Sequence, residues 1–254
     1  MSWLDAVILV AAGLAGGLTG SIAGLASVAT YPALLLVGLP PVTANVTNTV
    51  ALVFNGIGSV WGSRPELAGR RVWVRQIVPA AALGGAAGAA LLLLTPAEGF
   101  ERVVPILLGV SSLAILLPRR PKQVTRVASH QRHTATVYLE SAAIFLISIY
   151  GGYFGAAAGV MLLALFLGAG HDTLAHANAG KNVVLGVANG VAALMFIVLA
   201  PVHWQAVVPL GLGCLLGSRL GPIVVRHAPS GPMKVLIGVA GVALAIKLGV
   251  DTYR

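Results

Sequence analysis

Seven polar side chains sit inside otherwise apolar stretches of this 254-residue chain: Asn45, Asn48 and Asn55, then Asn178, Lys181, Asn182 and Asn189. At 100° per residue, Asn45, Asn48 and Asn55 fall within about 80° of one another on a helix, and Asn178, Asn182 and Asn189 within about 40°. Lys181 flanks the second stripe. Amides and an ammonium are donors suited to a small oxyanion, whereas a cation would find almost no carboxylates here. An Asn in a membrane helix also serves as interhelical glue, at about 0.6–2 kcal/mol each. Lys181 is costlier, roughly 2.5–3.5 kcal/mol inside a span, and is expected either to contact an anion or to snorkel to the surface.

Two glycine clusters supply a second set of donors. Gly16, Gly17, Gly20 and Gly24 recur as Gly151, Gly152, Gly155 and Gly159. A helix unwound there exposes backbone N–H groups, and the half-helix that follows turns its positive end toward the break. The acid placed to relay a proton is Glu140, near the start of the fifth span, where the headgroup region is an equal alternative. His171, Asp172 and His176 have spacing open to a metal, but read more simply as a polar connector with Asp172 capping the next helix. No Walker loop, His-Glu-x-x-His or Gly-x-Ser-x-Gly elbow occurs, so neither catalysis, a cofactor nor a metal is expected. The one cysteine, Cys214, excludes an intramolecular disulfide and reads as a small packing residue.

These residues must be positioned by membrane helices. The chain is 57% hydrophobic and 9% charged, with mean hydropathy +0.93, against about 25% charged in soluble domains. Ala6 to Ser63 carries no charge, and uncharged runs follow at Gln76–Ala97, Val103–Pro118, Ser141–His171 and Asn182–Ser218. Each is expected to hold one span or more, about 20 residues being usual, with Val103–Pro118 the shortest at 16. The expected fold is an all-α integral membrane protein. Its spans are expected near 4–27, 42–62, 76–95, 102–117, 136–168, 174–200, 206–225 and 233–250. The N-terminus lacks the basic region of a signal peptide, so the first apolar segment is expected to be retained. The net charge of +9 follows membrane topology rather than nucleic acid: connectors Arg64–Arg75 and Arg119–Arg132 are separated by two spans and fall on one side, the cytoplasm by the positive-inside rule.

Two halves are expected, 1–118 and 136–254, joined by the basic connector 119–135. Besides the glycine clusters, Ala44-Asn45 recurs as Ala177-Asn178, Asn55-Gly56 as Asn189-Gly190, and Val72-Trp73 as His203-Trp204. Gly84-x3-Gly88 recurs as Gly217-x3-Gly221, a small-x3-small contact pattern, and Gly109 as Gly238. The offset drifts from 135 (Gly16 to Gly151) to 129 (Gly109 to Gly238). If each broken first segment counts as one span, there are about eight helices and the repeats run parallel. If each makes an extra crossing, ten segments form inverted repeats, toward which Arg226 and Lys234 lean.

The chain resembles the sulfite exporter TauE/SafE family of duplicated permeases. The resemblance rests on Gly20-x3-Gly24, Pro32-x-Leu34 and Gly38-Leu39-Pro40-Pro41 leading into Ala44-Asn45, and on the matching elements of the second half, Gly151–Gly159, Ala177–Asn182, Trp204 and Gly217-x3-Gly221. It covers nearly the whole chain. The family's near-consecutive glycines are thinned here to Ser21-Ile22-Ala23-Gly24 and Ala156-Ala157-Ala158-Gly159, and its Gly-Thr-Ser is replaced by Asn45-Val46-Thr47-Asn48. The resemblance implies export of sulfite, a sulfonate or a related organic anion across a bacterial inner membrane. The expected mechanism is alternating access at a midplane site lined by Asn45, Asn48, Asn178, Lys181 and Asn182, with Gly20, Gly24, Gly155 and Gly159 supplying backbone donors. The expected partners are that anion and the lipid bilayer, with room for proton coupling and for a homodimer. The rival readings are a passive anion channel and a non-transporting membrane scaffold or assembly factor.

Overall fold

A computed structural model describes residues 1–116, 134–168 and 173–227, with isolated residues between 239 and 250. Most of the last expected span and of the basic connector, with His171, Asp172 and Lys234, lie outside these. The elements are α1 (Trp3–Ala23), α2 (Ala26–Leu36), α3 (Pro41–Gly62), α4 (Arg64–Leu67) and α5 (Arg71–Leu94), followed by α6 (Ala97–Leu116), α7 (Thr134–Tyr153), α8 (Ala158–Gly168), α9 (Leu174–Leu199) and α10 (Trp204–His227).

Apolar stretches of 21, 24, 26 and 22 residues in α1, α5, α9 and α10 are long enough to cross a membrane, at about 1.5 Å per residue. At 22 residues α3 is as long, but its Asn and Thr residues lower its hydropathy. Those residues face inward: Asn45, Thr47, Asn48, Thr49 and Asn55 are all buried. α5 begins at Arg71, five residues before the expected position, because Arg71 and Arg75 extend the helix past the apolar stretch with exposed side chains. α9 is capped by the Thr173 hydroxyl, which accepts from the His176 N–H at 3.2 Å.

Both expected breaks are present. α1 ends where Gly24 turns left-handed (φ 76°), its N–H donating back to the Gly20 carbonyl at 2.7 Å. α7 ends likewise at Gly155 (φ 70°), whose N–H reaches the Tyr150 carbonyl at 2.9 Å. Only glycine takes this conformation without a steric penalty. The chain then doubles back, so Gly16 faces Thr30 and Gly20 faces Ala26 across the α1–α2 hairpin.

The order of the contacts fixes the helix directions. Gly13 and Gly17 of α1 meet Cys214 and Ser218 of α10, and Gly58 and Gly62 of α3 meet Leu215 and Arg219. Numbers rise together, so α1, α3 and α10 run parallel. Gly84 and Gly88 of α5 meet Phe145 and Gly152 of α7, while Trp73 and Gly85 of α5 meet Gly180 and Ala188 of α9. These three also run parallel to one another. Between the sets the order reverses: Gly56 of α3 meets Gly186 of α9, yet Ser63 is bonded by Asn182. Exchanging α1 with α7, α2 with α8, α3 with α9 and α5 with α10 therefore carries each principal packing pair onto another and inverts its direction. Of the two arrangements left open by the sequence, the packing has the inverted one. It also brings the C-terminal end of α10, with Arg226, to the side of α4 and the N-terminus of α5.

The same contacts correct the glycine register. Gly84 lies against the Phe145 carbonyl and Ile149 N–H as Gly217 lies against those of Leu14 and Leu18. Leu14 thus corresponds to Phe145, Gly20 to Gly151 and Gly24 to Gly155. This is one helical turn from the register that matches glycine to glycine. The Gly-x3-Gly pairs of α5 and α10 are close-packing surfaces, as expected, with backbone against backbone.

Candidate functional site

The two breaks meet where the backbones of Gly24 and Gly159 touch. Beside them is a small cavity of about 20 Å³, room for a single water-sized sphere. Both halves wall it: Gly20, Gly24, Thr49, Leu52 and Asn55 from one, Gly151, Phe154, Gly155, Leu185 and Asn189 from the other. Ala26 and Ser27, the first residues of α2, complete it, and no side chain caps that helix N-terminus. The positive end of the helix therefore lies at the cavity, and of its first N–H groups that of Val28 donates to the Leu25 carbonyl at 3.2 Å. Asn55 is 7% exposed, and its Oδ1 has no hydrogen-bond partner. A half-turn of the amide presents Nδ2 as a donor instead.

The residues expected to bind substrate divide into two groups. Gly20, Gly24 and Gly155 line the cavity. Gly159 lies just behind it against Gly24. Asn45, Asn48, Lys181 and Asn182 are buried but are used between helices. Asn48 accepts from the Thr30 hydroxyl at 2.5 Å and donates to Ser27 at 3.1 Å, clamping α3 to α2. Asn45 Nδ2 donates to the Tyr153 carbonyl at 2.8 Å, and Asn182 Nδ2 to the Ser63 hydroxyl at 3.0 Å. Asn178, 1% exposed, has an unpartnered Oδ1.

Lys181 neither snorkels nor faces an open site. It is 0% exposed, and its Nζ donates to the carbonyls of Gly20 and Ser21 at 2.8 and 3.0 Å. Those carbonyls belong to the last turn of α1, which has no intrahelical donors of its own beyond the Gly24 N–H. Asn45 does the same for Tyr153, the last residue of α7. Each half's central helix thus caps the broken helix of the other half, and the cavity walls are held by contacts across the interface.

Glu140 is 8% exposed and lies 13 residues before the end of α7, roughly 20 Å from the break along the helix. The structure does not bring it to the cavity. Among the described residues there is no group of three or more His, Cys, Asp or Glu able to hold a metal. Cys214 is buried against α1, as its packing role required.

Sequence reasoning passed over two features. Ser27 and Thr30, three apart on α2, are the partners of Asn48, and a hydroxyl pair at helical spacing was the available signal. The second feature is a larger cavity of about 730 Å³ between α3, α4, α5 and α9, which Arg64, Arg71 and Arg75 help to line. Counted along the sequence, those arginines spoke only for topology.

A family model described as "Sulfite exporter TauE/SafE" matches residues 9–248. Among curated proteins, a "Probable membrane transporter protein ORF9" of Sinorhizobium sp. is 29% identical over 251 residues, covering 98% of this chain and 93% of that protein. The "Probable membrane transporter protein YfcA" of Escherichia coli K12 is 25% identical over 238 residues, covering 93% and 87%. No solved structure matches the chain. An inverted bundle of apolar helices broken at paired glycines, matched end to end by transporter sequences, identifies a multi-pass membrane protein of the sulfite exporter TauE/SafE family.

Proposed function

We infer that this chain is a secondary transporter, not an enzyme, that exports a small anion such as sulfite, a sulfonate or a related organic acid across the bacterial inner membrane. The observation that carries the reading is the small cavity where the two helix breaks meet, walled by residues of both halves. A site on an inverted pseudo-two-fold axis is equidistant in structure from both membrane faces, which alternating access requires. The two halves are read as copies that rock against each other, opening a site that at about 20 Å³ is contracted to the size of one water. Its donors, the N-terminus of α2 and the amides of Asn55 and Asn189, suit an oxyanion. The side bearing Arg64, Arg70, Arg71 and Arg75 is read as cytoplasmic.

The test is counterflow in proteoliposomes loaded with unlabelled anion. Saturable uptake of labelled sulfite or sulfoacetate, accelerated by internal substrate, supports the carrier. Flux that does not saturate and ignores internal substrate indicates a channel. No flux for any anion in a folded preparation indicates a scaffold.

A further inference from the structure

The arginine-lined cavity has a polarity gradient that the central site lacks. Arg71 and Arg75 are four apart on α5 and share a face, with Val78 one turn deeper on the same face; Arg64 closes the outer end from α4. Arg64 lies 5.3 Å over the Trp61 ring, which restricts its guanidinium. No side chain caps the N-terminus of α5 at Arg71, so backbone N–H groups and the helix dipole add to the positive potential there. Among the described residues, no acidic side chain lines the cavity. Inward, the wall becomes hydrocarbon, with Val60, Val183 and Val187 among its residues. It is a groove open along one side, and its volume of about 730 Å³ gives room for an apolar body beside the charged group, more than a bare oxyanion fills.

We propose that this cavity is a binding site for an amphiphilic anion, separate from the central site, with the anionic group held by Arg64, Arg71 and Arg75 and the hydrocarbon body packed on the valines. The ligand is either a free organic anion with an apolar body or an anionic phospholipid; both present the same chemistry. The site goes beyond the transport reading and does not depend on it, since binding here is measured without flux.

The experiment is thermal unfolding of the full chain in an uncharged detergent, titrated with sodium octanesulfonate, sodium methanesulfonate or octanol. Octanesulfonate is expected to raise the melting temperature in a saturable way, while methanesulfonate and octanol do not. In Arg71→Gln/Arg75→Gln the apparent affinity falls by about tenfold or more, and Arg71→Lys/Arg75→Lys retains most of it. Rescue by the lysine pair separates lost charge from lost fold. Native mass spectrometry with phosphatidylglycerol and phosphatidylcholine distinguishes the source. Retained phosphatidylglycerol that octanesulfonate displaces identifies the lipid, and its absence identifies the free anion. Equal shifts for octanesulfonate and methanesulfonate, no shift with either, or an undiminished shift in the glutamine pair each overturn the proposal.

Discussion

The Lys181 amine and the Gly20 carbonyl meet at 2.8 Å in the interior, 161 residues apart in sequence, with the Ser21 carbonyl alongside at 3.0 Å. Carbonyls in the last turn of a helix lack intrahelical donors, and the amine supplies them. The contact therefore secures the break of α1 from the opposite half of the molecule.

Removing that side chain should unfold before it disables. Lys181→Met keeps most of the volume but strands the Ser21 carbonyl, and Lys181→Ala also opens a cavity. We expect losses on the order of 1–3 kcal/mol for Met and more for Ala. The check is the melting temperature by fluorescence-detected size exclusion, measured before any transport assay. A variant as stable as wild type yet inactive would place Lys181 at the anion instead.

The glycine positions differ in what they tolerate. Gly24→Ala meets two penalties: a left-handed φ of 76° and a Cβ driven into the Gly159 backbone. About 1–2 kcal/mol for the conformation and 1–3 for the overlap add to a severe loss. Gly38, at φ 87°, has nothing within 4 Å of a built Cβ, so Gly38→Ala should cost only the conformational part. Parallel expression and melting of the two variants separate strain from collision. Similar losses in both would mean that the Gly24–Gly159 contact does not constrain the break.

Asn55→Leu should have the opposite profile to Lys181→Met. Its Oδ1 has no partner, and replacing a buried unsatisfied acceptor with hydrocarbon is neutral or stabilising. We expect an unchanged or higher melting temperature with transport reduced by tenfold or more, and the same for Asn189→Leu. Wild-type flux in both would remove the cavity from the transport path. Asn48→Leu is the control: it breaks bonds to Thr30 and Ser27, and its cost is expected in stability, near 1 kcal/mol.

The sequence carried the helix breaks and the buried polar faces because both are local: glycine clusters interrupt a helix, and amides on one side of an apolar helix must turn inward. The pairing of the halves was less secure. Glycines recur at helical spacing around both breaks, so the register with the most glycine pairs, four against two, lies one turn from the one the packing has. Only the packing of Leu14 and Phe145 against α10 and α5 fixes it. Gly155 was placed opposite Gly20 for that reason, although it breaks α7 where Gly24 breaks α1. The partner of Lys181 was invisible because helix-end carbonyls carry no residue signature. Asn55 and Asn189 stood in the polar stripes but not among the site residues, since periodicity assigns a face and not a depth.

The inverted packing makes a prediction about sidedness. α4 and the N-terminus of α5 share one side with the C-terminal end of α10, while the start of α6 lies at the far end of α5. Cys214 is 0% exposed, so the wild-type chain should be silent to a membrane-impermeant maleimide. Glu98→Cys, at an exposed position in the first turn of α6, should label in intact cells. Ala68→Cys, exposed just after α4, should label only after permeabilisation, because the arginines around it hold that side in the cytoplasm. Labelling of Ala68→Cys from outside would reverse the orientation. The arginine-lined cavity would then open to the outer face, and its ligand would have to arrive from there.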